Sequence, residues 1–181
     1  MEMRRALVVY ESLFGGTERI ARAIATGLER SLDVRVGSVE QLPASDVAHA
    51  ELLVLGGPTH AHSMSLPTTR AEAIAWTHDV ARKLELAPGT HSLGVREWLD
   101  DLTAVPLFAA FDTRASIPRL LSGAASHAIA RALAKRDGVA IAEPESFLVD
   151  SANALADGEV QRAIAWGDAL AATLLSRTPV S

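Results

Sequence analysis

The chain has 181 residues, a length that suits one domain with a sizeable core, and its formal net charge is −5. It is 49% hydrophobic but only 4% aromatic, so the core is expected to be largely aliphatic. The negative charge and the lack of a Lys/Arg-rich run argue against a nucleic-acid binder, and the absence of cysteine excludes disulfides, thiolate metal sites and a cysteine nucleophile.

The chain shows no sign of a targeting or membrane segment. The apolar stretch near the N-terminus is short and ends at Glu11, and no apolar run approaches the length that spans a bilayer. These features predict a cytoplasmic protein with no membrane segment. Because no repeat, low-complexity tract or linker divides the chain, a single domain over residues 1–181 is expected.

Apolar runs alternate with helical patterns along the chain. Strands are predicted at 6–10, 34–39, 52–55, 105–111 and 139–149, the last of them interrupted at 143–145. Helices are predicted at 17–30, from Thr69 to about 86, at 95–102, at 123–137 and from Asp157 onward. Most of the strands do not alternate strictly, which indicates burial on both faces. The pattern therefore predicts a parallel sheet covered by helices, a three-layer α/β domain with its ligands beyond the carboxyl ends of the strands.

The loop after the first strand has the composition of an anion site. Ser12, Gly15, Gly16 and Thr17 lie between an apolar run and a helical pattern, where backbone N–H groups and the positive end of a helix dipole bind phosphate. The loop has no Lys and no G-x-G-x-x-G, so it is neither a Walker loop nor a dinucleotide fingerprint. The alternative is that the hydroxyls only cap the helix and the glycines only turn the chain.

Two further loops are expected at the same edge of the sheet. The second runs from Gly56 to Arg70 and the third from Ala110 to Pro118. A flat ring system with polar edges could lie between them while its phosphate tail reaches the first loop.

The segments SLFGGTERIA and GGPTH, together with the order of the elements, resemble the flavodoxin-like family of FMN proteins over about residues 6–175. The resemblance implies a five-stranded parallel sheet of order 2-1-3-4-5 with helices on both faces, and FMN as cofactor. It also implies three groups of binding residues. The phosphate would be held by Ser12, the backbone of Phe14, Gly15, Gly16 and Thr17. One side of the isoalloxazine would face Pro58, Thr59 and His60, and the other Phe111, Asp112, Thr113 and Arg114.

The chain departs from the family pattern in two ways. Phe14 replaces the middle threonine of the phosphate loop, and the second and third loops contain no Trp or Tyr to stack on the ring. Trp76 and Trp166 fall on predicted helices and are interpreted as packing residues.

The resemblance implies electron transfer to a redox partner protein or a small-molecule acceptor. One alternative is an FMN-dependent NAD(P)H:acceptor (quinone) reductase, which a positive cleft around Arg70 and Arg114 would favour; another is a flavodoxin-like module that binds no flavin. His60, His62, Arg70 and Arg114 are expected near the ring, where positive charge would raise its potential. Neither a metal pair at His60 and His62 nor a hydrolase triad is favoured by its surroundings, and no catalytic residue is assigned.

Overall fold

The computed structural model describes residues 3–60, 62–80, 84–150 and 152–177. Within these residues the strands are β1 (Arg5–Tyr10), β2 (Asp33–Ser38), β3 (Leu52–Pro58), β4 (Leu107–Ala115), β5 (Val139–Ala140) and β6 (Glu145–Val149). The α-helices are α1 (Gly16–Leu28), α2 (Pro67–Ala75), α3 (Val95–Asp100), α4 (Arg119–Ser122), α5 (Ala125–Ala134) and α6 (Glu159–Ser176). Short 3-10 helices lie at Ala44–His49 and Trp76–His78.

The strands form one parallel sheet in the order β2-β1-β3-β4-β5. β6 also pairs in parallel with β4, beyond the stretch that pairs with β5. β5 and β6 together therefore fill the fifth position, on either side of the interruption that the sequence indicated. The predicted fold class and strand order are confirmed.

Helices cover both faces of the sheet. Val8, Val54 and Phe111 point toward the face packed by α1 and α6. Leu7, Leu53 and Phe108 alternate with them and point toward the face packed by α3 and α5. Since side chains alternate along a strand, each central strand contributes to both cores, which explains its continuous apolar run.

On the first face, α1 and α6 cross at two glycines. A Cβ atom on Gly27 would collide with the backbone oxygen of Ile164, and one on Gly167 would collide with the backbone oxygen of Ile24. The two backbones therefore come closer than any side chain would allow.

Two elements differ from the sequence prediction near the carboxyl edge. β4 continues to Ala115 instead of ending at Phe111, because its polar residues still pair with β3 on one side and β6 on the other. α2 begins at Pro67 and ends at Ala75, whereas the pattern predicted a start at Thr69 and a length reaching about residue 86. Thr69 does act in the cap, since its hydroxyl accepts a hydrogen bond from the Leu66 N–H at 2.8 Å.

Candidate functional site

The carboxyl ends of β1, β3 and β4 open onto one cavity of about 400 Å³. This volume lies within the range of small-molecule and cofactor sites. The phosphate-loop segment, the loop after β3 and the end of β4 all contribute to its lining. The lining residues are Ser12, Leu13, Phe14, Gly16, Thr17, Pro58, Thr59, His60, Thr69, Glu72, Trp76, Leu84, Thr113, Arg114, Ala115, Val149, Asp150 and Asn153.

The loop before α1 presents backbone donors to this cavity. The Ser12 hydroxyl oxygen accepts hydrogen bonds from the N–H groups of Gly15 at 3.1 Å and Glu18 at 3.2 Å, so it caps the helix, as the simpler interpretation held. The N–H groups of Phe14, Gly16 and Thr17 donate to no acceptor within the described chain. Three free donors at the positive end of a thirteen-residue helix form a suitable place for an anion.

Two threonines join the first loop to the third. The hydroxyls of Thr17 and Thr113 lie 2.7 Å apart, and both side chains are buried. One hydroxyl donates to the other, and the acceptor keeps a proton of its own to donate elsewhere. Thr17 therefore belongs to the cavity wall as well as to the start of α1.

The loop after β3 forms another wall. The Thr59 N–H donates to the Thr113 carbonyl at 2.8 Å, and its hydroxyl oxygen accepts from the Ala125 N–H at 2.9 Å. His60 closes a tight turn with Ser63 through two backbone hydrogen bonds. Burial is the main cause that lowers the pKa of His60, and the positive charge of Arg70 adds to it. Burial therefore favours the neutral form of His60, while His62 is exposed and does not line the cavity.

Trp76 lines the cavity, and sequence reasoning missed it. It lies in the 3-10 helix that continues α2, and 41% of its surface is exposed. Thr69, Glu72 and Trp76 are spaced by three and four residues and all three line the cavity. That spacing places side chains on one helical face and was readable from the sequence. Trp166, by contrast, packs edge-to-face against Phe111 and Phe147, as predicted.

The structure does not bring all the residues of the third loop to the cavity. The Phe111 side chain is fully buried beneath α6, and the Asp112 side chain is fully buried on the opposite face of β4. The difference arises because these residues lie in a strand with alternating side chains. Thr113 and Arg114 do line the cavity.

The Arg114 guanidinium braces the turn that follows β4. Its Nη1 donates to the Ile117 carbonyl at 2.9 Å and to the Ser122 hydroxyl at 3.1 Å. Its Nε is buried and finds no acceptor within the described residues. This cation therefore serves mainly to hold the turn, although its side chain lines the cavity.

Arg70 does not form the positive cleft that its position in the sequence suggested. Its side chain is 2% exposed, and its guanidinium pairs with Glu97 at 3.1 Å and donates to the Ser65 hydroxyl at 2.9 Å. It lines a separate cavity of about 300 Å³ on the other side of the Ser12–Leu13 segment. Of the four basic residues expected at the ring, only His60 and Arg114 line the larger cavity, and Glu72 and Asp150 add carboxylates there.

Glu11 completes the buried network around Arg70. Its carboxylate accepts hydrogen bonds from the Ser65 hydroxyl at 2.5 Å and from the Val95 N–H at 2.9 Å. Burial raises the pKa of Glu11, an effect that these hydrogen bonds and the charge of Arg70 only partly offset. The network ties the end of β1 to the starts of α2 and α3.

Neither a metal centre nor a membrane span is found in the part of the chain that the structure describes. No three His, Asp or Glu side chains there are grouped so that they could hold a metal ion. None of the described helices has the length and apolar character needed to cross a bilayer.

Solved structures with the same architecture are those of flavodoxins and related proteins. A flavodoxin from the domain Archaea matches with a TM-score of 0.64 and 20% identity, covering 94% of this chain and 99% of that chain. Flavodoxin 1 from Bacillus cereus matches with a TM-score of 0.65 and 17% identity over 97% and 99% of the two chains. The chain has the flavodoxin fold. A WrbA-like flavodoxin from Agrobacterium tumefaciens shares this fold, with a TM-score of 0.58 and 17% identity over 97% and 99%. No protein-family model and no curated sequence matches the chain.

Proposed function

We propose that the chain binds FMN in the larger cavity and transfers electrons to a redox partner protein or a small-molecule acceptor. The observation that carries this proposal is the presence, in one cavity of the flavodoxin fold, of free backbone donors at the start of α1 and of the partly exposed indole of Trp76. When bound, FMN supplies one- and two-electron chemistry.

Each end of the cofactor has suitable residues in this cavity. The N–H groups of Phe14, Gly16 and Thr17 would hold the phosphate by dipoles, without a cation in the loop. The indole of Trp76 would supply the stacking surface that the second and third loops lack. Pro58, Thr59, His60, Thr113 and Arg114 would line the sides of the ring, with Thr59 and Thr113 fixed by hydrogen bonds of their own.

The same residues argue against the two alternatives. A nicotinamide-dependent reductase would be favoured by a positive cleft around Arg70 and Arg114, but the Arg70 side chain is buried and paired, and only Arg114 lines the cavity. Glu72 and Asp150 at the cavity would repel the phosphates of a second nucleotide. A module without flavin would be favoured by a lack of stacking aromatics, and the indole of Trp76 at the cavity would supply one.

Titration with FMN tests the cofactor assignment. We expect the purified protein to take up FMN with a change in its visible spectrum. Trp76→Leu should bind about two- to tenfold more weakly, because aromatic pairs contribute about 0.5–1.5 kcal/mol beyond their buried area. Trp76→Phe is the matched control and should stay close to the wild type. Failure of the wild type to bind FMN, or equal affinity of Trp76→Leu, would contradict the assignment.

Mixing FMN-loaded protein with NADH or NADPH and a quinone separates the two redox functions. We expect slow loss of reduced nicotinamide, while protein reduced beforehand by dithionite should pass its electrons on to an added one-electron acceptor. Rapid catalytic oxidation of either nicotinamide would instead support the reductase.

A further inference from the structure

Asp112 is a buried carboxylic acid that the proposed cofactor site does not use for binding. Its side chain has no exposed surface, and Oδ2 accepts a hydrogen bond from the Ser126 N–H at 2.8 Å, at the start of α5. Its Oδ1 has no hydrogen-bond partner within the described residues, and neither has the buried hydroxyl of Ser126. Unpaired buried polar atoms cost free energy, and a proton on Oδ1 would let the carboxyl group donate a hydrogen bond.

Asp112 lies one side chain behind the cavity wall. The next residue in the strand, Thr113, lines the cavity, and so does Thr59. The Thr59 hydroxyl accepts a hydrogen bond from the Ala125 N–H, and Asp112 accepts one from the N–H of the following residue, Ser126. A charge placed in the cavity would therefore act on Asp112 through protein rather than through water.

A second buried acid shares the same row of the sheet. Gly57 of β3 is the register partner of Asp112, and on its other side lies Glu11, which directly follows β1. Both acids point to the face of the sheet covered by α3 and α5. Glu11 accepts a hydrogen bond from the Val95 N–H in α3, and Asp112 accepts one from the Ser126 N–H in α5. Two strand spacings of about 4.8 Å separate their backbones, and the Val95 side chain packs over Gly57 between them.

The other titratable or charged groups on the packed elements are few. They are His60 and His62 in the loop after β3, Arg114 on β4, Glu145 on β6, His127 and Arg131 on α5, and Arg70 beside Glu11. Glu145 forms an ion pair with Arg162. Burial raises the pKa of Asp112, and the nearby polar groups of Ser126, Ser146 and Thr59 only partly oppose the shift.

We infer that Asp112 is a redox-linked protonation site, a residue that takes up one proton when an electron enters the cavity. The inference rests on the proposed FMN function. The electron comes from an external one-electron reductant, and the proton comes from water and converts the carboxylate to the neutral acid on Oδ1. No covalent bond to the cofactor forms. Negative charge in the cavity makes a nearby buried carboxylate unfavourable, and protonation of Asp112 relieves the repulsion.

Redox titrations at several pH values test this inference with Asp112→Asn. The amide keeps an oxygen for the Ser126 N–H, so the cap of α5 is retained, but it holds no titrating proton. Over some pH interval, the potential of the wild type should depend more steeply on pH than the potential of the variant. The two slopes should differ by up to about 59 mV per pH unit for one electron, because 59 mV corresponds to a tenfold change in a one-electron equilibrium. Asp168→Asn on α6, which removes the same charge from a remote ion pair with Arg30, is the control and should follow the wild type.

Infrared difference spectra give a second readout, which reports protonation directly. Reduction of the wild type should produce the carbonyl band of a protonated carboxylic acid, and ¹³C labelling of the aspartate carboxyls should shift it, which separates Asp112 from Glu11. Asp112→Asn should lose the band. Equal pH dependence of the two potentials, or the lack of a label-sensitive band, would overturn the inference while FMN binding persists. Failure of FMN to bind at all would be seen in the titration of the protein with FMN and would overturn both proposals.

Discussion

Glu11 gives the clearest prediction at the scale of single residues. Burial raises its folded-state pKa above the value of 4.5 for the free side chain. Below the unfolded pKa, the residue is protonated in both states and its contribution to stability is fully present. As the pH rises toward the folded pKa, the unfolded chain ionises first, so this contribution is lost at up to about 1.4 kcal/mol per pH unit.

Glu11→Gln should therefore lose less free energy of unfolding than the wild type as the pH rises from about 4.5 through the folded pKa. Urea denaturation across that interval measures the difference between the two slopes. Glu29→Gln, which removes the same charge from an exposed position just after α1, is the control and should keep the wild-type slope. If Glu11→Gln keeps the wild-type slope as well, the carboxylate of Glu11 is not the titrating group.

Residues of the site could be predicted where they lie in a loop that follows a strand. They could not be predicted within a strand, where the alternation of side chains between the two faces decides which residues reach the cavity. Ser12 and Thr17 stand in a recognisable loop, and both line the cavity. Asp112 and Thr113 are adjacent in sequence, yet only Thr113 reaches it, because the strand continues past both. Trp76 was missed because a helical pattern does not show which face lies toward a ligand.

At the scale of elements, the α1–α6 contact depends on two glycines that the sequence pattern left unexplained. Gly27→Ala should lower the free energy of unfolding by about 1–3 kcal/mol, because the new methyl group meets the backbone of α6 rather than a side chain that could move. Urea denaturation measures the effect. Thr26→Ala, on the exposed side of the same helix, is the control and should change stability by about 0.5 kcal/mol or less. A wild-type unfolding midpoint for Gly27→Ala would mean that the two helices do not cross this closely.

Element order was predictable because apolar runs and helical periods alternate so regularly. The residues at which the elements begin and end were less predictable. The polar residues Asp112 and Thr113 suggested a loop, whereas pairing on both sides keeps them in β4. The buried ion network was not predictable, since Glu11, Arg70 and Glu97 are far apart in sequence and each alone resembles a surface charge.

At the scale of the whole molecule, the larger cavity is bordered by segments from both halves of the chain. Ser12 and Thr17 come from the first loop, Trp76 from the middle, and Thr113 and Asn153 from the second half. A ligand that contacts all of them binds only the folded chain. It therefore stabilises the entire fold by mass action and not just one loop.

FMN should accordingly raise the melting temperature of the whole protein, and riboflavin should raise it less. At a free concentration of one hundred times the dissociation constant, FMN would add about 2.7 kcal/mol to the free energy of unfolding. In a chain of this size that corresponds to a shift of about 5–11 °C. Riboflavin carries the same ring without the phosphate, so at equal concentration it lacks the hydrogen bonds from Phe14, Gly16 and Thr17. Thermal unfolding with each compound measures the difference. Equal shifts would mean that the loop before α1 holds no phosphate and that Ser12 and Thr17 serve the helix alone.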